Sequence, residues 1–283
     1  MKTFTILLSL LWTTSVFAFP EAPFNALEEN LPVSKDLKNS DYDFEGIVKL
    51  SNCSGAVVRF AGQPLASNAY VLTNGHCIGG GFLKPGEAVA NKLSFRRMRV
   101  SNEEGRFFRV RAQKLIYATM TGTDAAIYEL NETYDDLLKD HNIEAFDLDA
   151  SRSTPSLSID IVSGYWERGY SCSVEANVFK LLEANWIFKD SLRYSEPGCD
   201  TIGGTSGSPI IEKGTRSVVG VNNTSNEGET DCSINNPCEQ DENRNITVKK
   251  GYSYGQQIYQ FYACLTMDFD IDTSIETCEL TKP

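Results

Sequence analysis

The chain has 283 residues, 41% of them hydrophobic, and a formal net charge of −12. That length suits one large all-β unit or two small packed barrels with ample core. The surplus of acid offers no phosphate-binding face, which argues against a nucleic-acid partner. Eight cysteines with no Cys-x-x-Cys pair, and only two histidines, favour disulfides in an exported chain over a zinc site.

Residues 1–18 read as a signal peptide: Lys2, an apolar run from Phe4 to Trp12, then Val16-Phe17-Ala18 with small residues suited to cleavage. The run is too short to span a bilayer, and no later segment is long and apolar enough to do so. The expectation is a secreted or periplasmic protein with no membrane partner. Residues 19–43 are polar and without clear period, an extension or propeptide.

From Gly46 the pattern turns to short apolar or alternating runs bounded by Gly, Asn, Ser or Pro, which predict strands. They are Gly46 to Leu50, Gly55 to Phe60, Ala69 to Thr73, Lys92 to Val100, Phe107 to Ala112 and Asp124 to Leu130. A helix is predicted over Glu132 to Asp140, closing a first β unit of residues 44–150. A linker rich in Asp and Ser, Asp147 to Ser158, leads into a second unit of residues 151–283. Its strands are Ile159 to Tyr165, Ser171 to Leu181, Trp186 to Tyr194, Ser208 to Ile211 and Ser217 to Asn222. Asn223 to Lys250 is a polar insertion holding one cysteine pair, and Gln256 to Leu265 a closing helix before a tail. Many short strands without alternating helices imply a sandwich or barrels.

Two distant segments carry chemistry. Thr73-Asn74-Gly75-His76-Cys77 closes one strand, and Gly203-Gly204-Thr205-Ser206-Gly207-Ser208-Pro209 opens another. A serine hydroxyl needs an adjacent base to act as a nucleophile. His76, at a strand end beside a glycine, can be that base, whereas His141 lies in a charged loop and reads as solvated. Asp124 opens an apolar strand and can orient the imidazole. Gly204 lets the N–H groups of Gly204 and Ser206 converge as an oxyanion hole. The order His, Asp, Ser excludes an α/β-hydrolase, which needs a histidine after its nucleophile.

With these boxes the chain, from Gly46 to Leu265, resembles the chymotrypsin-like serine peptidases, in the bacterial branch near trypsin and the glutamyl endopeptidases. The resemblance implies two six-stranded antiparallel Greek-key β-barrels, a cleft between them and a short C-terminal helix. It implies an endopeptidase of protein or peptide substrates, acting as a monomer without cofactor or metal, with His76, Asp124 and Ser206 catalytic. Cys53 would pair with Cys77, and Cys172 with Cys199; chain proximity suggests Cys232 with Cys238 and Cys264 with Cys278. Thr205 stands where trypsin-like zymogens keep the Asp that receives a new N-terminus, so activation by N-terminal insertion is not expected. Asp200, six residues before Ser206, stands where trypsin-like enzymes bind Arg or Lys. The glutamyl alternative needs a pocket histidine where Asn222 stands. A catalytically silent homologue that binds through its cleft is the other alternative.

Two weaker signals remain. Asp268, Asp270 and Asp272 mimic a calcium loop, but Thr273 stands where its turn wants Gly, and the alternation with Met267, Phe269 and Ile271 reads as a strand. Asn131-Glu132-Thr133 and Asn245-Ile246-Thr247 are glycosylation sequons.

Overall fold

The structure is a computed structural model that describes residues 42–283. The predicted signal peptide, and the extension up to residue 41, lie outside the described residues.

Six strands close the first barrel: β1 (Ile47–Lys49), β2 (Ser54–Arg59), β3 (Asn68–Thr73), β5 (Arg97–Ser101), β6 (Phe107–Thr119) and β7 (Ala125–Thr133). Around the barrel they run β1-β5-β6-β7-β3-β2, and antiparallel pairing of β1 with β2 shuts the ring. β4 (Ala88–Leu93) adds to the far half of β6. The second barrel holds β9 (Ser158–Ser163), β10 (Arg168–Glu183), β11 (Trp186–Tyr194), β12 (Pro209–Glu212), β13 (Ser217–Ser225) and β16 (Ser253–Gln257). It too closes on itself, through β13 with β16. The protein is thus a double β-barrel. β8 (Phe146–Leu148) lies between the barrels, parallel to β2 on one side and to β13 on the other.

The continuous apolar runs of the first barrel follow from burial on both strand faces. Val57, Val71 and Tyr128 enter one cluster, while their neighbours Val58, Leu72 and Ile127 enter another. The second cluster crosses to the other barrel through Val162, Ile211, Val218 and Val221, so the barrels share a core. Each such fully buried Leu or Ile contributes about 1.5–3 kcal/mol. Ile159, Ile161, Tyr170, Val174, Leu192 and Ile210 fill the second barrel itself.

The helix α1 spans Tyr134–His141, two residues later than the sequence predicts at its start, because Thr133 caps it. Thr133 Oγ1 accepts from Asp136 N at 3.0 Å and Asp136 Oδ2 accepts from Thr133 N at 2.9 Å, a capping box. Asn142, left-handed at φ 52°, ends it. All four disulfides join the expected partners, Cys53–Cys77, Cys172–Cys199, Cys232–Cys238 and Cys264–Cys278.

Several elements differ from expectation. The single strand predicted over Lys92 to Val100 is two, β4 and β5, because Ser94–Arg96 bulges against β6, three residues facing Ala112 and Gln113. Ser94 N donates to Gln113 O at 3.0 Å and Arg96 O accepts from Ala112 N at 2.9 Å. β6 runs on to Thr119 past two register shifts that break its alternation. The closing helix predicted over Gln256 to Leu265 begins as strand β16 and continues as a 3-10 helix, Tyr259–Cys264. The polar insertion contributes two short strands, β14 (Cys238–Gln240) and β15 (Ile246–Thr247), and β14 pairs with β10. Met267 to Phe269 form a turn rather than a strand, with Phe269 left-handed at φ 65°.

Candidate active site

The strand β3 ends at Thr73, and a 3-10 turn, Gly75–Ile78, carries His76. Its geometry is held from three sides. Asn74, fully buried, donates from Nδ2 to the carbonyl of Asp124 at 2.7 Å. The disulfide ties Cys77 to β2, and the Arg96 guanidinium donates to the Cys77 carbonyl, to Asn52 Oδ1 and to Tyr128 Oη. Gly75 packs so tightly on the end of β6 that a Cβ would lie 2.0 Å from Thr119 O.

Asp124 stands just before β7, its side chain 1% exposed. Both of its carboxylate oxygens are engaged by one residue. Oδ1 accepts from the His76 backbone N–H at 3.0 Å, and Oδ2 lies 2.6 Å from His76 Nδ1. A proton on Nδ1 makes this a charge-assisted bond that fixes the ring and leaves Nε2 as the free, basic nitrogen. Burial pulls the His76 pKa down most strongly, but the Asp124 charge, its hydrogen bond and the charge of Glu183 together carry it above the usual 6.5.

Ser206 sits in the turn between Cys199 and β12. Gly207 occupies φ +82°, and a Cβ there would meet Ser54 O at 2.2 Å and Thr73 Oγ1 at 2.3 Å, so only glycine fits between the serine loop and the first barrel. Ser54 is the residue that joins them. Its N–H donates to Ser206 O at 2.8 Å, its hydroxyl to Gly204 O at 3.2 Å, and its carbonyl accepts from Thr73 Oγ1 at 2.8 Å. On the other side Gly207 N donates to Asn222 O at 2.9 Å.

His76, Asp124 and Ser206 line one cavity of about 380 Å³, open mouth included. Ser206 Oγ donates to the carbonyl of Asn223 at 3.1 Å rather than to His76. Catalytic hydrogen bonds of unliganded sites often tighten only when substrate is bound. The N–H groups of Gly204 and Ser206 donate to no other group among the described residues, and Gly204 is at φ +91°.

A profile of the trypsin-like peptidase domain matches residues 53–221. The chain belongs to the trypsin-like peptidase family. It is also similar in structure to the MamO protease domain from Magnetospirillum magneticum (14% identity, TM-score 0.44, covering 76% of this chain and 92% of that one). A Nocardiopsis protease shares 13% identity at TM-score 0.43, over 76% of this chain and 93% of its own. Protease Anisep from Arthrobacter nicotinovorans shares 16% at TM-score 0.43, over 77% and 92%. No curated protein matches the chain.

Other predicted positions fall elsewhere in this trypsin-like scaffold. Asp200 is exposed and does not line the cavity of Ser206. Its neighbour is Glu196, whose carboxyl is pushed up to about 6 by desolvation and then by the hydrogen bond and charge of Asp200. The next residue, Thr201, is the one turned inward, its N–H donating to Ser253 Oγ at 3.2 Å. Asn222 is buried, with Oδ1 accepting from Tyr194 Oη at 3.1 Å. His141 stacks on Phe108 with centroids 4.3 Å apart and does not line the cavity. Among the described residues no helix is long and apolar enough to cross a membrane.

Two contributors carry no motif. Ser54 is signalled only by standing between Cys53 and Gly55. Glu183, at the tip of the β10–β11 hairpin, lines the cavity beside His76 and gave no sequence signal at all.

Proposed function

We propose that the protein is an exported serine endopeptidase working through an acyl-enzyme. Ser206 attacks the scissile carbonyl while His76 Nε2 takes the hydroxyl proton. His76 then gives that proton to the leaving amine, and water repeats the cycle to release the acid. Asp124 holds the imidazole in the Nδ1–H tautomer and offsets the charge it gains. The N–H groups of Gly204 and Ser206 receive the oxyanion. The observation that carries this reading is the double engagement of buried Asp124 by His76 within the cavity that Ser206 lines.

Four disulfides suit an oxidising compartment, which supports export. Selection of Arg or Lys at the scissile position through Asp200 draws no support from that residue's exposed place outside the cavity. The glutamyl alternative finds only Asn222, already bonded to Tyr194, where a histidine would be needed. Turnover of a mixed peptide library, with product mapping by mass spectrometry, tests the reading and reports the scissile preference. Cleavage should vanish in both Ser206→Ala and His76→Ala. Cleavage at wild-type rate by either variant would overturn it.

A further inference from the structure

The cavity is closed on one side by the tip of the β10–β11 hairpin. Trp186 Nε1 donates to Leu83 O at 2.8 Å, and the Phe82 ring stands edge-on to both Trp186 and His76, with centroids at 5.6 and 6.0 Å. Gly122 exchanges two backbone bonds with β11, at 3.0 Å to Ile187 O and 2.7 Å from Lys189 N, so the hairpin is fastened to the loop that carries Asp124. Ala184 N donates to Cys232 O at 2.7 Å, fastening it to the disulfide-closed insertion as well.

Between these walls lies Glu183, 8% exposed. Its Oε1 accepts from Thr224 Oγ1 at 2.9 Å and from the Asn235 N–H at 2.7 Å. Its Oε2 accepts from no group among the described residues, and no Lys, Arg or His bonds the carboxylate directly; His76 acts on it only through space. A buried carboxylate with no cation bonded to it is costly unless a ligand brings one. Burial first, and in lesser part the charge of Asp124, hold its pKa above the ordinary carboxylate value, against the bonds from Asn235 and Thr224 and the charge of His76.

We propose that Glu183 determines specificity at a subsite for a basic substrate side chain, at a position preceding the scissile residue; this rests on the peptidase reading of Ser206 and His76. The aliphatic stem of a lysine or arginine lies along Phe82, Trp186 and Ile234, and its cationic head reaches Oε2. Phe82 and Trp186 add cation–π faces beside the carboxylate. The subsite is assembled from the first barrel, the hairpin and the Cys232–Cys238 insertion together.

The test varies Lys, norleucine and Glu at each of the three positions before a fixed scissile residue and compares kcat/KM. Lysine should exceed norleucine about tenfold or more at one position, the scale of one charge-assisted bond. In Glu183→Gln, whose amide oxygen can still accept from Thr224 and Asn235, that ratio should fall toward one. Equal rates for Lys and norleucine at all three positions, or an undiminished ratio in Glu183→Gln, would overturn the proposal. Binding of the same peptides to Ser206→Ala, read by tryptophan fluorescence, separates this from the peptidase reading. Lysine peptides should bind about tenfold tighter whether or not the wild type cleaves them, and equal binding refutes the subsite on its own.

Discussion

A single methyl group at Gly75 should uncouple the candidate base from its carboxylate. In Gly75→Ala the new carbon would lie 2.0 Å from Thr119 O, 2.7 Å from Thr119 C and 3.0 Å from Asp124 Oδ1. A carbon in contact with a carbonyl oxygen sits at about 3.3 Å, so the turn bearing His76 and the end of β6 must separate by roughly 1 Å. Both partners are backbone, and neither can swing aside as a side chain would. Overpacking of this kind costs about 1–3 kcal/mol, which for a domain this size lowers Tm by about 2–4 °C per kcal/mol. The same displacement opens the bonds from His76 N and Nδ1 to Asp124, and a 1 Å misplacement costs about 100-fold in rate. Urea unfolding and kcat/KM on one cleaved peptide measure the two effects. Wild-type stability with wild-type kcat/KM would refute the reasoning, since the contact leaves no route to an unperturbed fit.

Further predictions concern charge and cross-links. Asp124→Asn keeps the shape but removes the charge and the tautomer control, and kcat should fall about 10⁴-fold in single-turnover assays. The His76 pKa is raised, and the base must be unprotonated; kcat/KM should therefore fall as pH drops through a value above 6.5. Because the Glu183 charge is one of the raising influences, Glu183→Gln should move that acid limb to lower pH in a pH–rate profile. Arg193 donates from Nη1 to both oxygens of Glu239 at 2.7 Å and from Nη2 to Glu175 at 3.0 Å. Arg193→Leu, which leaves Glu239 without its cation, should cost about 1.5–3 kcal/mol in urea unfolding. Ser54→Ala removes the hydroxyl bond to Gly204 O, and about 1 kcal/mol should be lost in the same measurement.

The segments bearing His76 and Ser206 were legible because each is short, glycine-punctuated and set at a strand end, where local chemistry dictates the backbone; Asp124 was legible only as the acid that opens an apolar strand between them. Strands β2, β3 and β7 were legible because both faces are buried and their residues form unbroken apolar runs. β16 was not. Its residues Ser253 to Gln257 are polar or small yet entirely buried, and they hold through hydrogen bonds such as Ser191 Oγ to Gln256 and Gln257 to Asp190. β8 is three residues too short to show a period, held by parallel pairing to two strands distant in sequence and by burial of Phe146 and Leu148 in the core the barrels share. Glu183 was invisible for a similar reason. Nothing around it in the chain is unusual, and its nearness to His76 arises only when the β10–β11 hairpin folds back over the first barrel.

The central claim is that the hydroxyl at position 206 is activated by the imidazole at position 76. Intact-mass and peptide mapping after exposure to a peptidyl phosphonate addresses it most directly. One phosphonyl group should appear on Ser206, slow greatly in His76→Ala, and be absent from Ser206→Ala. Labelling of another residue, or of Ser206 at an undiminished rate without His76, would contradict the account.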